Sequence, residues 1–369
     1  MGTKKRFLIS GGGTGGHIFP AIAIANKIKS EIPDAEILFI GADDKMEMRR
    51  VPDAGYKIEG LSIYGMSRDF SPKGILKNLK LPFVTLKAMR RAKQIIRDFH
   101  PDIAIGVGGF ASGPALQSAH SLGIKTLIQE QNSYPGVTNK ILSRQVERIC
   151  VAYDGLERFF PQEKIVKTGN PIRANILQLQ KKLPESYQFF GLAPDKKTLL
   201  VIGGSLGAKS INQVMLTNLA EIKKLGIQVL WQTGESYYNE NKTTLPMMES
   251  DEVKIVPFIR NMNDAYGIAD FIISRAGALA IAELGIVAAP TILVPFPKAA
   301  EDHQTMNARA LSDKGAAILI KDSAADTELI PALTELVNDE RKCAEMSETI
   351  KQFAQPDAVD KIFENIMSL

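Results

Sequence analysis

"RFLISGGGTGGHIFPAIAIA", Arg6 to Ala25, decides the fold. An apolar run of strand character stops at a cluster of glycines, and a run with helical spacing follows, with His17 at its mouth. Glycine admits positive φ and lets backbone approach a ligand closely, at an entropic cost. A strand–glycine loop–helix junction presents unpaired N–H groups and the positive end of a helix dipole, which suits phosphate. Two patterns fit in part. Read as G-x-G-x-x-G, Gly11, Gly13 and Gly16 form a dinucleotide fingerprint, with Asp43 and Asp44 after a second strand as candidate ribose ligands. Read as a P-loop, Gly11 and Gly16 fit, but His17 and Ile18 stand where Lys and Ser or Thr are required. The P-loop reading fails, and the dinucleotide reading stays open at this point.

Working outward, short β-rich runs alternate with helical patterns, which predicts α/β architecture with parallel sheets. "EILFIGA", "DIAIGVGG", "KTLIQEQ" and "RICVAY" read as strands of a first half. Near Asn170 the rhythm breaks into a polar, proline-punctuated stretch. A fresh series then opens with "TLLVIGGSLGAKSINQVM", Thr198 to Met215, which repeats the design of the first junction. We therefore expect two Rossmann-like domains facing a deep cleft. The expected boundaries are a first domain over 1–170, a linker over 171–190, a second domain over 191–355, and a helix over 356–369 that packs on either. Ligands in such sheets bind beyond the carboxyl ends of the strands, where both glycine loops fall.

A chain of 369 residues suits two domains of ordinary size. Hydrophobic content of 45% and charged content of 23% describe a folded globular protein. No apolar run approaches the roughly 20 residues that span a bilayer. "MGTKKRFLIS" has too short an apolar stretch for a signal peptide, and Arg6 stands where a myristoylation motif wants Ser or Thr. Cys150 and Cys343 lack metal-ligand spacing and read as buried free thiols. Charge is uneven: residues 1–170 hold 25 Lys and Arg against 16 Asp and Glu, and the remainder holds 20 against 25. Much of the excess lies in Tyr64 to Phe99, with nine basic residues and two acidic. Leu86 to Ile96 reads as a helix with a core-facing stripe. Ile75 to Val84 reads as a basic-apolar patch suited to an anionic membrane surface. Aromatic and basic interleaving is too thin for nucleic acid.

"GGGTGGH", "GVGGFASGP", "QEQNSYPGVTNK", "GNPIR", "VIGGSLGA", "RAGALAIAELG" and "PFPKAAEDHQTMNA" occur in this order. Together they resemble the MurG family of peptidoglycan N-acetylglucosaminyltransferases, from the N-terminus to about Ala310. The resemblance implies the GT-B fold, a UDP-N-acetylglucosamine donor and an undecaprenyl-pyrophosphoryl acceptor, converted from lipid I to lipid II with inversion. It also implies a peripheral place on the cytoplasmic side of the cell membrane, among the wall-building machinery. No cofactor is expected. A nicotinamide oxidoreductase would leave "GGSLGA", "RAGALAIAE" and "EDHQ" without tasks. A UDP-N-acetylglucosamine 2-epimerase shares scaffold and donor and differs in lacking a lipid acceptor. A non-enzymatic membrane scaffold leaves the nucleotide loops unexplained.

The residues carry matching chemistry. Ser205 and the backbone donors of "GGSLGA" suit a pyrophosphate whose charge grows as UDP leaves. Asp43 and Asp44 are adjacent, and no acidic pair stands at a strand end near these loops, so we expect helix dipoles rather than Mg²⁺ to take that charge. The family match places Ala278, Leu279, Ala280, Ile281, Ala282 and Glu283 along the nucleoside diphosphate, with Glu283 on the ribose diol. Ala280 departs from the Thr usual there. The match also assigns the backbone of Ile259, ending the strand "VKIVPFI", to uracil, and Gln304 to the donor sugar. Asn132 and Arg173 fall on substrate-binding positions; Arg173 either meets an anionic group or forms a structural ion pair. Thr14, Gly15 and Gly16 bring backbone to the lipid pyrophosphate or the donor sugar. His17 either takes the acceptor hydroxyl's proton, as an imidazole at a helix start is suited to do, or only hydrogen-bonds substrate while a carboxylate acts as base.

Overall fold

The computed structural model describes residues 4–65, 71–204 and 207–369. The chain folds as two units, Met1–Pro171 with Asp357–Leu369, and Ile172–Pro356. Among the described residues the first unit holds a seven-stranded parallel sheet in the order β3-β2-β1-β4-β5-β6-β7. Its strands are β1 (Arg6–Ser10), β2 (Glu36–Ala42), β3 (Lys57–Leu61), β4 (Ile103–Gly106), β5 (Lys125–Glu130), β6 (Arg148–Val151) and β7 (Ile165–Lys167). The second holds a six-stranded parallel sheet, β10-β9-β8-β11-β12-β13. Here the strands are β8 (Thr198–Ile202), β9 (Gln228–Gln232), β10 (Val253–Val256), β11 (Phe271–Ser274), β12 (Thr291–Leu293) and β13 (Ile318–Leu319). In both sheets the order reverses beside the first strand, between β1 and β4 and between β8 and β11. That switch point opens a crevice at the carboxyl edge, and the two glycine loops lie there.

Helices cover both faces of each sheet, so the central strands are apolar throughout rather than alternating. Phe7 and Ile9 of β1 pack into one layer with the helix Gly15–Glu31, while Leu8 points into the opposite layer with Ala88, Ala92 and Ile96 of the helix Pro72–Phe99. β8 divides likewise, Leu199 and Val201 to one side and Leu200 and Ile202 to the other.

Of residues 171–190, expected as a linker, all but Pro171 are built into the second unit. Their helices Ala174–Leu177 and Pro184–Phe190 bury Ile176 and Tyr187 in the core that holds Tyr266 and Ile268. The Lys182 N–H donates to the Gly267 carbonyl at 3.0 Å, and the Ser186 hydroxyl to Asp264 at 2.8 Å. The polar surroundings of these two apolar anchors hide them in the sequence. The final helix, Ala358–Met367, belongs to the first unit. Its Ile362 and Ile366 enter the layer of Ile18, Ala21 and Ile24, and Asp360 pairs with Lys27 at 2.6 Å.

This packing makes a testable point. Ile362→Ala should cost the first unit about 2–5 kcal/mol. Trp231, the one tryptophan, is buried in the second unit. Chemical denaturation followed by circular dichroism should therefore show an earlier transition, while the midpoint read from Trp231 fluorescence stays in place.

Candidate active site

Two glycine loops meet at the switch point of the first sheet. The Gly12 N–H donates to the Gly108 carbonyl, and a Cβ on Gly109, whose φ is +89°, would lie 2.3 Å from the Gly12 carbonyl oxygen. Only glycine permits this contact of backbone on backbone. The next amide, Gly13 N–H, donates at 2.9 Å to Oε2 of Glu47, a fully buried carboxylate that also accepts from Ala42 N–H at 3.1 Å. The loop's early amides, Gly12 and Gly13, are thus engaged within the protein. Thr14 caps the helix Gly15–Glu31, whose first-turn amides at Gly15 and Gly16 have no intrahelical acceptor.

His17 sits in that first turn. Its Nδ1 is 3.1 Å from the Gly12 carbonyl oxygen and 3.3 Å from Thr14 Oγ1. A carbonyl only accepts, so the bond to Gly12 puts the proton on Nδ1 and the lone pair of the neutral ring on Nε2. The ring lies over Gly108, where an added Cβ would come within 2.9 Å of Nε2.

At the end of β5, Glu130 is buried and gathers four donors: Asn132 N–H and Nδ2, Gly136 N–H and Asn139 Nδ2. Burial raises its carboxyl above the ordinary value, and these donors hold it part-way back. The Asn132 loop is anchored below by amides: Gln131 Nε2 donates to the Val107 carbonyl, and Asn170 Nδ2 to the Gln131 carbonyl. Asp43, the candidate ribose ligand of the dinucleotide reading, accepts from the Ser62 hydroxyl at 2.6 Å.

In the second unit the loop after β8 leads into the helix Lys209–Lys224. Ser205 lies outside the described residues. Gln232, at the end of β9, ties this loop to its neighbour: Nε2 donates to the Gly204 carbonyl, and Oε1 accepts from the Ile259 N–H, both at 3.0 Å. One expectation for Ile259 is corrected here. β10 ends at Val256 because Pro257 has no N–H to continue the ladder, so Ile259 lies beyond the strand, with its amide held by Gln232.

The helix Ala278–Val287 follows β11, with Gly277 at its start. Leu279 and Ala280 are half-exposed, whereas the side chains of Ile281 and Ala282 are buried in the core. Glu283 is 6% exposed, and Arg173 grips it bidentately, Nε to Oε1 at 2.7 Å and Nη2 to Oε2 at 2.8 Å. Tyr266 donates its hydroxyl to Oε2 at 3.2 Å. Burial first, and then the Glu283 charge, push the Tyr266 phenol well above its ordinary pKa, so it remains a donor. Of the two roles open to Arg173, the structure displays the ion pair. Gln304 Oε1 accepts from the Phe296 N–H at 2.9 Å. The helix carrying it starts after Glu301 and Asp302, both left-handed at φ +54° and +55°.

Glu47, Glu130, Gln232, Tyr266 and Arg275 were not picked out from sequence. Arg275 binds the Val294 and Pro295 carbonyls, Asp322 and the Ser210 hydroxyl, joining four segments at one sheet edge. The available signal was a polar residue closing an apolar run, as in "TLIQE" and "VLWQ". Among the described residues no group of three or more His, Cys, Asp or Glu is placed to hold a metal ion. Cys150 is buried and its thiol is pushed up to about 12 by burial, while Cys343, expected buried, is half-buried.

Residues 7–151 match the glycosyltransferase family 28 N-terminal domain, and residues 198–362 match the C-terminal domain of the same family. The chain is 52% identical, over 99% of its own length and 96% of the relative's, to the UDP-N-acetylglucosamine–N-acetylmuramyl-(pentapeptide) pyrophosphoryl-undecaprenol N-acetylglucosamine transferase of Cytophaga hutchinsonii. It belongs to glycosyltransferase family 28, as a member of the MurG group. The crystal structure of Acinetobacter baumannii MurG is 32% identical with a TM-score of 0.79, covering 99% of this chain and 100% of that one. The two parallel-sheet units are those of a GT-B glycosyltransferase. The UDP-GlcNAc 2-epimerase of Neisseria meningitidis, 15% identical at a TM-score of 0.67 with full coverage of both chains, shares the fold alone. The transferase reading stands over the epimerase alternative.

The ion pair predicts a coupling. Arg173→Ala leaves a buried carboxylate with Tyr266 as its remaining donor and should cost the second unit about 1.5–3 kcal/mol. Because Arg173 is half-exposed, the lower part of that range is expected. Glu283→Ala in the Arg173→Ala background should cost less than it does alone, as denaturation of the four proteins would reveal.

Proposed function

We propose that this transferase moves N-acetylglucosamine from UDP-N-acetylglucosamine to the N-acetylmuramyl 4-hydroxyl of undecaprenyl-pyrophosphoryl-MurNAc-pentapeptide, with inversion at the sugar carbon. The observation that carries the reading is the near-complete, 52% identical match to a transferase named for this reaction. The second unit takes the donor. The pyrophosphate meets the start of the helix Lys209–Lys224, with Ser205 assigned to it by the family match alone, and the helix dipole offsets the charge that UDP carries away. Amides of Ala278, Leu279 and Ala280 add to that field. Glu283 receives the ribose diol on the lone pair of Oε1 that Arg173 does not occupy, so Arg173 and Tyr266 orient the carboxylate for the nucleoside. The Ile259 carbonyl accepts from uracil, and Gln304 donates to the sugar.

The first unit takes the acceptor. Gly15 and Gly16 amides, with Thr14 and Asn132, face its pyrophosphate and sugar. His17 Nε2 removes the proton of the acceptor hydroxyl as that oxygen attacks the anomeric carbon, a general-base step. With a lipid I analogue and UDP-N-acetylglucosamine, mass spectrometry should detect an acceptor gaining one N-acetylhexosamine, with turnover retained in EDTA. Release of UDP without acceptor, or an absolute need for Mg²⁺, would count against the assignment.

The polyprenyl tail keeps the acceptor in a bilayer, and the helix Pro72–Phe99 supports docking there. Its Ile75, Leu76, Leu79, Phe83 and Leu86 are exposed on one side, Phe83 to 77% and Leu79 to 67%. Lys73, Lys80 and Lys87, each seven residues apart, are exposed beside them. Basic groups near an anionic leaflet contribute about 1 kcal/mol each and are screened by salt, whereas inserted apolar groups resist salt. Among the described residues no helix is long and apolar enough to cross a membrane. We read the protein as peripheral on the cytoplasmic leaflet, in reach of other wall-building enzymes. Leu79→Ser with Phe83→Ser should weaken binding to anionic vesicles and slow turnover of long-chain acceptor, while calorimetric UDP affinity holds.

A further inference from the structure

Glu47, fully buried beneath the first unit's glycine loop, occupies a position that bears on His17. One oxygen holds the Ala42 N–H at the end of β2, and the other holds the Gly13 N–H in the loop after β1. The Gly12–Gly13 peptide is thereby gripped by its own N–H, while Gly12 N–H is gripped from the other side by the Gly108 carbonyl. Between these two grips lies the Gly12 carbonyl, and that oxygen accepts from His17 Nδ1. A glycine loop has no side chains to hold itself and pays the largest backbone entropy of any sequence. The carboxylate supplies the missing constraint.

We propose that Glu47 is a positioning residue for His17: by fixing the Gly12 carbonyl it holds the imidazole in the tautomer that carries its lone pair on Nε2. This rests on the reading of His17 as the base. The chemistry favours a carboxylate over an amide at this place, because both of its contacts are backbone N–H donors and both of its oxygens accept. A glutamine would turn an NH₂ toward one of the two amides and release that grip. A histidine whose Nδ1 loses its carbonyl partner is free to move its proton to Nε2, and the ring then has no lone pair to direct at a hydroxyl.

The test is the pair Glu47→Gln and His17→Ala, alone and combined, with the full-length protein. Glu47→Gln should lower kcat about tenfold to a hundredfold, the scale of a misplaced catalytic group, and leave the KM for UDP-N-acetylglucosamine nearly unchanged. In the His17→Ala background the same substitution should have little further effect on kcat, since its route of action has been removed. Nitrogen-15 spectra of the imidazole should show Nδ1 protonated in the parent and a mixture of tautomers in Glu47→Gln. Glu47→Asp, which reaches only one of the two amides, should give the same pattern if Glu47→Gln fails to fold. Equal losses in both backgrounds, or an unchanged tautomer, would overturn the proposal and leave Glu47 as support for the loop alone. Full turnover by His17→Ala would instead remove His17 as the base, and the tautomer spectra would still decide whether Glu47 positions the ring.

Discussion

At the carboxyl edge of a parallel sheet the strands diverge, and backbone N–H and C=O groups there lose their ladder partners. Buried groups of this kind must find others, since each one left unmatched costs roughly as much as a lost hydrogen bond. This chain answers with buried polar side chains. Glu47 takes the amides of Ala42 and Gly13, Glu130 those of Asn132 and Gly136, and Gln131 the Val107 carbonyl. In the second unit Gln232 bridges Gly204 and Ile259, and Arg275 takes the carbonyls of Val294 and Pro295. The loops at the carboxyl edges of the two sheets are held by these groups from beneath.

The same constraint acts within the first glycine loop. Its early amides are matched within the protein, whereas those of the helix start have no intrahelical acceptor. A preorganised loop of this kind keeps its donors aimed before substrate arrives, which is the condition for electrostatic stabilisation at small reorganisation cost. Glu283 obeys the same logic from the other side. A carboxylate buried to this degree needs donors, and Arg173 with Tyr266 fix its plane while leaving a lone pair on Oε1. The cost of burying charge is thereby offset.

The helix Pro72–Phe99 shows how one element serves two environments. Its later part buries Ala88, Ala92, Ile95 and Ile96 against the sheet, as the periodicity of Leu86 to Ile96 had indicated, except that Leu86 itself is exposed. Its earlier part keeps apolar side chains in solvent, with lysines beside them. Large exposed apolar side chains grouped on one face call for a partner surface, whereas scattered ones do not.

Strand-forming runs bounded by glycine, and their recurrence at Thr198, made the α/β class and the presence of two sheets legible from sequence, because apolar period and breaker residues act locally. Motif order made the family legible, and with it the candidate residues His17, Glu283 and Gln304. What sequence could not rank was which polar residues would meet. Arg173 and Glu283 stand 110 positions apart, and Glu47 and Gly13 stand 34 apart. Their partnerships depend on where parallel strands cross over, which no local pattern records. The same holds for residues 171–190 and for the final helix: their anchors, Ile176, Tyr187, Ile362 and Ile366, find their places only once a distant apolar layer exists to receive them. Local chemistry determined the elements and named the loops; long-range closure of the sheets decided which side chains would hold those loops in place, because a buried donor is satisfied by whatever acceptor the fold brings within 3 Å.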